Sequence, residues 1–463
     1  MNPSEAVEEC LDEYLQEQRE GEHDGQGCFT LSRAAALEKL ANFQLPFEGA
    51  WAVKIVQAVV ASGTRQAIRV TLGREETRFS WLGSSPWRTR DLEAAFLDPE
   101  SAVDPGLEAM VIGLRAAALG ESRDFRLRLA GDGEGVWLVW SDGAFESRPG
   151  EPEGANLLVV RNRAVETPLD WIARKLRISR GHRDVADALG SRCFTCPVPL
   201  WLDGRRLDGI PHCPGHGLER NQWPLSLRLL KVDGPRFRLP PADSLALAMK
   251  GRRPGLWAGM GLDGVTDELG SLVTSPETAA LMLLTAHLDP SATSHNQTRP
   301  PDYLTPSPSY IFWVRHGAVV EVEPISKAAA GVSVALFLNA EGIETDLSSF
   351  APRRGAEKSR RFNAGKAGVK KALKSFLVPT EQIKQSNRRR YRRGSHQAVA
   401  ACAVGGGVLG AGAFGWAVLP FVGVGALTLL VAGHAEPHYE RHLLEQLETE
   451  IPRLAELFGR GRS

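Results

Sequence analysis

The feature that most constrains this chain is a run of 36 residues without one charged side chain, residues 398–433. As a single helix this run would be about 54 Å long at ~1.5 Å per residue, whereas the hydrocarbon core of a bilayer is roughly 30 Å thick. Two spans of about 17 residues each fit that thickness, with a turn near Gly415 and Trp416. The sequence therefore predicts a C-terminal transmembrane helical hairpin. The alternative is a buried soluble hairpin, but this glycine- and alanine-rich run has few side chains that could fill a core.

Charge is segregated along the chain, although the net charge is zero. Between Arg353 and Arg393 there are 15 lysines and arginines against only Glu357 and Glu381. Basic residues beside a membrane span stay on the cytoplasmic side and attract anionic lipid. A nucleic-acid patch is the rival interpretation, but the adjacent uncharged run favours a membrane partner and no nucleic acid. The predicted headgroup ligands directly precede that run: Arg388, Arg389, Arg390, Arg392 and Arg393.

The N-terminal residues and the cysteines indicate the cellular compartment of the soluble domains. The first 20 residues lack a basic flank followed by an apolar run, so they do not resemble a secretory signal. Six scattered cysteines do not form a dense disulfide framework. We therefore expect a membrane protein whose soluble domains face the cytoplasm.

Hydrophobic periodicity divides the remainder into an acidic tail (1–27), a first α/β domain (28–210), a smaller second α/β domain (211–352) and a basic juxtamembrane segment (353–397). In the first domain, helices at 31–43, 51–62, 91–97, 107–119, 169–176 and 183–189 alternate with strands, which predicts a mixed sheet with its helices on one face. After residue 209 the periodicity weakens, and it returns with a hairpin near residues 310–322 and a strand at 332–338.

The last segment, residues 434–463, carries an apolar stripe on a charged helix. Such a stripe is a packing face, here for self-association or for docking on the membrane surface. Its members are Leu443, Leu447, Ile451, Leu454 and Phe458.

Three stretches of the first domain, residues 53–58, 110–119 and 192–201, carry a resemblance to the GHKL superfamily of gyrase, heat-shock chaperones, histidine kinases and mismatch-repair ATPases. Within it, the element order most resembles the nucleotide-binding domain of the ninety-kilodalton heat-shock chaperone. Residues 40–57 and 346–348 are also similar to segments of an uncharacterised bacterial family. The resemblance implies an α/β sandwich that binds ATP.

The superfamily's chemistry needs a Glu that activates water, an Asn four residues later that holds magnesium, and an Asp-x-Gly-x-Gly loop that reads adenine. Here Val53 holds the Glu position, or Lys54 if the register slips by one, and Gln57 holds the Asn position. The loop sequence after Trp81 is unrelated, and only Gly113 remains of the glycine box.

Gln57 and Gly113 are therefore the candidate cofactor-binding residues, and no catalytic residue is predicted. The alternatives are a buried amide satisfied by backbone for Gln57 and close packing for Gly113. We expect a membrane-anchored scaffold or interaction protein on a degenerate, non-hydrolysing fold, with no cofactor. An active ATP- and magnesium-dependent chaperone-like or kinase-like enzyme is the alternative.

A second alternative is a zinc-stabilised adaptor. Cys193 and Cys196 precede His212, Cys213 and His216, and two such pairs can hold a tetrahedral zinc ion. Cysteines are also often simply buried, and we predict no metal site here.

Overall fold

The computed structural model describes residues 45–73, 75–83, 85–98, 102, 104–120, 123–130, 135–150, 154–162, 170–210, 222–241, 277–287, 304–325, 330–346, 350–375 and 445–458. The predicted acidic tail, the helix at 31–43 and the uncharged run 398–433 lie outside these residues. Within them, every helix is too short or too polar to cross a membrane.

The first unit is built on an eight-stranded mixed sheet in the order β5-β4-β3-β6-β2-β1-β7-β8. Neighbouring strands are antiparallel, except that β1 and β7 run parallel. This confirms the predicted mixed α/β class. The strands are β1 Ile68–Leu72, β2 Glu76–Leu82, β3 Arg123–Arg128, β4 Val136–Ser141, β5 Ala144–Pro149, β6 Ala155–Asn162, β7 Leu200–Leu202 and β8 Arg205–Arg206.

Helices pack on one face of this sheet. Alternation in β1 and β2 sends Ile68, Val70, Phe79 and Trp81 into the core and leaves polar residues on the other face. Phe96 of the second helix packs its ring 4.8 Å from that of Trp140 on β4. The helices are α1 Ala50–Ala61, α2 Thr89–Leu97, α3 Pro105–Arg115 and α4 Asp170–Arg192, with a π-helical turn Ala116–Gly120 continuing α3.

The prediction of two helices at residues 169–176 and 183–189 was wrong, because the structure has one continuous helix, α4. A glycine inside a helix costs only about 1 kcal/mol relative to alanine. Gly181 therefore does not interrupt a helix that packs on the sheet. Strand β5 was also not predicted as a strand, since its residues are largely exposed at the sheet edge.

The second unit contains a five-stranded sheet in the order β14-β13-β15-β12-β9. Strands β12 and β15 are buried at every residue. Because β12 is buried on both faces, its apolar residues do not alternate with polar ones, and this strand was not predicted. Strands β10 and β11 pair separately. The strands are β9 Gln222–Leu230, β10 Phe237–Arg238, β11 Glu277–Thr278, β12 Ala280–His287, β13 Tyr310–Arg315, β14 Ala318–Pro324 and β15 Val332–Asn339.

Two further helices pack on the second unit. In α5, Ala356–Ser375, the glycines Gly365 and Gly368 lie so close to the sheet that a Cβ atom would meet Leu336 at 3.0 Å and Val232 at 2.8 Å. Helix α5 lies within the predicted basic juxtamembrane segment 353–397 and packs against the second unit.

The other helix, α6, covers residues 445–458, and the backbone N–H of Gly331 donates to its Glu450 carboxylate at 2.8 Å. The predicted apolar stripe thus packs within the chain through Leu447, Ile451, Leu454 and Phe458, all buried in the main core. Leu443 lies outside the described residues.

We predict that Leu454→Ala lowers the unfolding free energy by about 2–5 kcal/mol, because it leaves a cavity in the core. Denaturant unfolding of the full-length chain measures the change. Thr449→Ala, at an exposed position of the same helix, is the control and should stay within about 0.5 kcal/mol. Equal, small effects of both variants would mean that α6 is not part of the core.

Candidate functional site

Helix α1, which carries the predicted site residue Gln57, is buried on every side. All residues from Ala50 to Val60 are buried. The indole of Trp51 meets the ring of Phe79 edge-on at 5.8 Å, with the guanidinium of Arg123 5.1 Å from it. Gly49 is the N-cap residue of the helix, and its φ of 76° is one that glycine adopts readily. A Cβ atom at Gly49 would lie 2.5 Å from the carbonyl oxygen of Asp184 on α4. Helix α4 thus closes one end of α1.

Val53, which the sequence resemblance compares with a catalytic base, is completely buried in the apolar core. One turn later, the Nε2 of Gln57 donates to the carbonyl oxygen of Arg315 in the second unit at 3.0 Å. The amide is therefore used to join the two units, as the buried-amide alternative requires. A role of Gln57 in holding a metal stays a prediction.

Gly113 lies where α3 crosses α1. A Cβ atom at this position would be 2.9 Å from Cδ1 of Ile55 and 3.0 Å from the carbonyl oxygen of Trp51. Only glycine lets the two helices approach this closely, so the residue has a clear packing role. A phosphate contact by Gly113 likewise stays a prediction.

The end of β2 is held in place by Asn156, a residue that the sequence analysis did not single out. The buried amide of Asn156 donates to the carbonyl oxygens of Trp81 at 3.2 Å and Gly83 at 2.7 Å, and it accepts from the N–H of Ala130 at 2.9 Å. Three strand ends are thereby held together. The sequence signal that could have identified Asn156 is its position as a polar residue in the otherwise apolar strand β6.

A second missed residue is Arg115, at the end of α3. Its guanidinium is buried and donates to the carbonyl oxygens of Ala95 and Phe96, at 2.6 and 2.8 Å. These carbonyls belong to the last turn of α2, where a cation also complements the helix dipole. Burial lowers the pKa of Arg115 to about 10. This side chain secures helix packing.

Lys54 is a buried cation on helix α1. Its ammonium lies 4.2 Å from the centre of the Phe350 ring. Burial, followed by the charge of Arg315, lowers its pKa to about 7, while Glu108 and Asp346 act in the opposite direction. Near neutral pH the group therefore exists in both protonation states.

The turn between β13 and β14 docks into the first unit beside these residues. His316 and Gly317 have positive φ angles of 46° and 75°. The hydroxyl of Thr195 donates to the Gly317 carbonyl oxygen at 3.0 Å, and a Cβ on Gly317 would lie 2.5 Å from Cδ of Pro197. The hairpin tip is thus fitted tightly against the first unit.

A cleft of about 1070 Å³ opens between the units next to this contact. Helix α4 forms one wall, and β14 with Phe350 forms another. Neither Gln57 nor Gly113 lines it. The two predicted residues therefore do not meet in this cleft.

Cys193 and Cys196 are free thiols in the core. Burial raises the pKa of Cys193 well above its usual value and that of Cys196 to about 12. Both are therefore protonated at neutral pH, whereas zinc binds thiolates. His212, Cys213 and His216 lie outside the described residues, within which no cluster of three metal-ligating side chains occurs.

No family model matches the chain, and no curated protein matches it in sequence. Among solved structures, it is similar to the Aquifex aeolicus MutL ATPase domain complexed with ADP, with 13% identity and a TM-score of 0.27 over 66% of this chain and 96% of that one. A second structure, the ATPase domain from bacterial mismatch repair endonuclease Aquifex aeolicus MutL, matches with 11% identity and a TM-score of 0.27 over 67% and 94%. Sequence identities and TM-scores this low do not assign site residues or an activity to the chain. They also do not support the predicted closer resemblance to the heat-shock chaperone.

We predict that Lys54→Met stabilises the fold most below pH 7, where the native state buries a charge. Between about pH 7 and about pH 10.5, Lys54 is neutral in the native wild-type protein but still protonated in the unfolded chain. The unfolding free energy of the wild type therefore rises by ~1.4 kcal/mol per pH unit over this range. The advantage of the variant should shrink accordingly in denaturant titrations at several pH values. Exposed Lys231→Met is the control. A difference that is constant with pH would contradict the prediction.

Proposed function

We propose that the chain is a membrane-anchored, non-hydrolysing scaffold that presents interaction surfaces on a degenerate GHKL-type fold. The observation that carries this proposal is the hydrogen bond from Gln57 to the Arg315 carbonyl oxygen. In the superfamily, the equivalent helix supplies the base and the metal ligand. Here the same helix is a buried connection between two units.

The closed packing around α1 supports the absence of hydrolysis. Val53 has no acid–base group, and it is enclosed by apolar neighbours. A general base must come within hydrogen-bond reach of the attacking water. The tight crossing at Gly113 further brings α3 against α1 at a point where the superfamily places phosphate-binding backbone.

The proposed anchor is the uncharged run 398–433, and the packing of its flanks supports a hairpin. Helix α5 ends at Ser375 and α6 begins within the described residues at 445, and both pack on the second unit. A single crossing would separate α5 and α6 by roughly 30 Å of hydrocarbon. Two crossings return the chain to the starting side.

The side that carries the soluble units is the cytoplasm in this proposal. Moving arginine to the centre of a bilayer costs roughly 2.5–3.5 kcal/mol on the insertion scale. The five arginines between residues 388 and 393 therefore stay on the entry side and bind anionic headgroups. The protein partner would bind the cytoplasmic units.

We predict that the full-length chain does not hydrolyse ATP with magnesium, and that Gln57→Ala changes stability instead. Loss of the buried amide leaves the Arg315 carbonyl without this donor, which costs about 1–3 kcal/mol. Phosphate release and denaturant unfolding measure the two effects. Gln66→Ala, at an exposed position, is the control. Magnesium-dependent turnover that disappears in Gln57→Ala alone would show that the helix is catalytic.

We also predict that both ends of the chain lie on the cytoplasmic side. A reporter that is active only outside the cytoplasm should be inactive when fused after Ser463 and active when fused after Gly415, between the two proposed spans. Activity after Ser463 would mean a single span. Inactivity at both positions would mean that residues 398–433 do not cross the membrane.

A further inference from the structure

The outer face of the first sheet, on the side away from the helices, carries a row of side chains that crosses all eight strands. Residues paired in register point to the same face. Following the pairs from β8 to β5 gives Arg206, Trp201, Arg69, Ser80, Leu157, Arg128, Trp137 and Arg148. Each tryptophan therefore stands between two arginines.

The next row on the same face concentrates positive charge near the middle of the sheet. Arg78 and Arg126 both pair with Val159, and Arg161 stands beside them, paired with Glu76. The guanidinium groups of Arg78 and Arg161 both bind the Glu76 carboxylate, Arg161 at 2.8 Å. Two arginines thus share the Glu76 carboxylate, and Asp124 of β3 is paired in register with Arg161 on the same face.

The three arginines Arg78, Arg126 and Arg161 outnumber the two carboxylates, Glu76 and Asp124, in these rows of the face. Burial, and then the like charges of Arg161 and Arg78, lower the pKa of Arg126. Its Nε is buried without a hydrogen-bond partner in the described part of the chain. Arg78 and Arg161 keep about half of their side chains exposed, at 55% and 53%. A bound anion would satisfy Arg126 and relieve the repulsion.

The two tryptophans add surfaces on which flat rings can stack. The guanidinium groups of Arg126 and Arg128 lie 5.4 and 4.9 Å from the Trp137 ring, and that of Arg206 lies 6.0 Å from the Trp201 ring. Trp137 and Trp201 are separated by five strand spacings, roughly 24 Å at about 4.8 Å each. Both rings remain partly exposed.

We propose that this outer face binds single-stranded nucleic acid, whose phosphates contact the arginines and whose bases stack on Trp137 and Trp201. Proteins that bind single strands combine a basic surface that follows the backbone with aromatic side chains that accept bases of any sequence. An anionic bilayer or an acidic peptide would complement the arginines, but neither supplies rings for tryptophans placed at regular positions between them.

This surface is distinct from the basic stretch 353–393, for which the sequence favoured lipid. Its arginines are distributed over six strands and come together only through strand pairing. The proposal does not depend on whether the chain is anchored or hydrolyses ATP.

The test is fluorescence anisotropy of a labelled single-stranded oligothymidylate titrated with the full-length chain in neutral detergent. We expect saturable binding that weakens steeply with salt, and quenching of tryptophan fluorescence. Replacing two phosphate-binding arginines, R78Q with R126Q, should reduce the slope of log affinity against log salt by about two. Trp137→Leu and Trp201→Leu should each weaken binding between about fivefold and about a hundredfold.

The control is R90Q with R354Q, which removes the same charge from exposed arginines outside this face. It should leave affinity nearly unchanged, and circular dichroism checks that each variant is folded. The proposal would be overturned if the control and the face variants lost the same amount of affinity, or if neither tryptophan substitution changed the affinity. The proposal would also be overturned if the oligonucleotide failed to bind while phosphatidylglycerol vesicles, or a peptide of residues 4–24, bound to this face.

Discussion

The structure depends on the complete burial of helix α1. Its residues Ala50 to Val60 contact helices on two sides, the first sheet and the second unit. The close crossing at Gly113 makes this possible, because a side chain there would collide with Ile55 and the Trp51 backbone. A helix enclosed in this way contributes apolar burial at about 25 cal/mol per Å². It has little surface left with which to meet a ligand.

The same helix couples the two units. Gln57 bonds to the Arg315 backbone, Lys54 lies under Phe350, and Arg238 donates to the Val60 carbonyl oxygen at 3.0 Å. The hairpin tip at Gly317 fits against Pro197 from the other side. Polar groups buried at such a boundary must keep their partners or lose stability. The two units are therefore expected to act as one body that offers outer surfaces to partners.

Local patterns predicted much of the fold. The apolar helix α1, the β1–β2 pair and the β13–β14 hairpin were all visible in the sequence, because each depends on neighbouring residues. The single helix α4 was not predicted, because tertiary packing keeps the chain helical through Gly181. The fully buried strand β12 was not predicted, because burial on both faces removes the alternation of apolar and polar residues. The sequence identified Gln57 as a candidate binding residue, but its hydrogen-bond partner, Arg315, lies 258 residues away along the chain. The arginine rows of the outer face similarly require the strand register.

We propose that helix α1, which the resemblance compares with a nucleotide-binding helix, serves here as a structural connection between the two units. Isothermal titration calorimetry of ATP and of ADP, each with magnesium, into the full-length chain tests it most directly. We expect no saturable heat up to millimolar nucleotide, because α1 and α3 leave no room at Gly113. Saturable binding at micromolar nucleotide that is weakened by Gln57→Ala, with the fold intact, would contradict it.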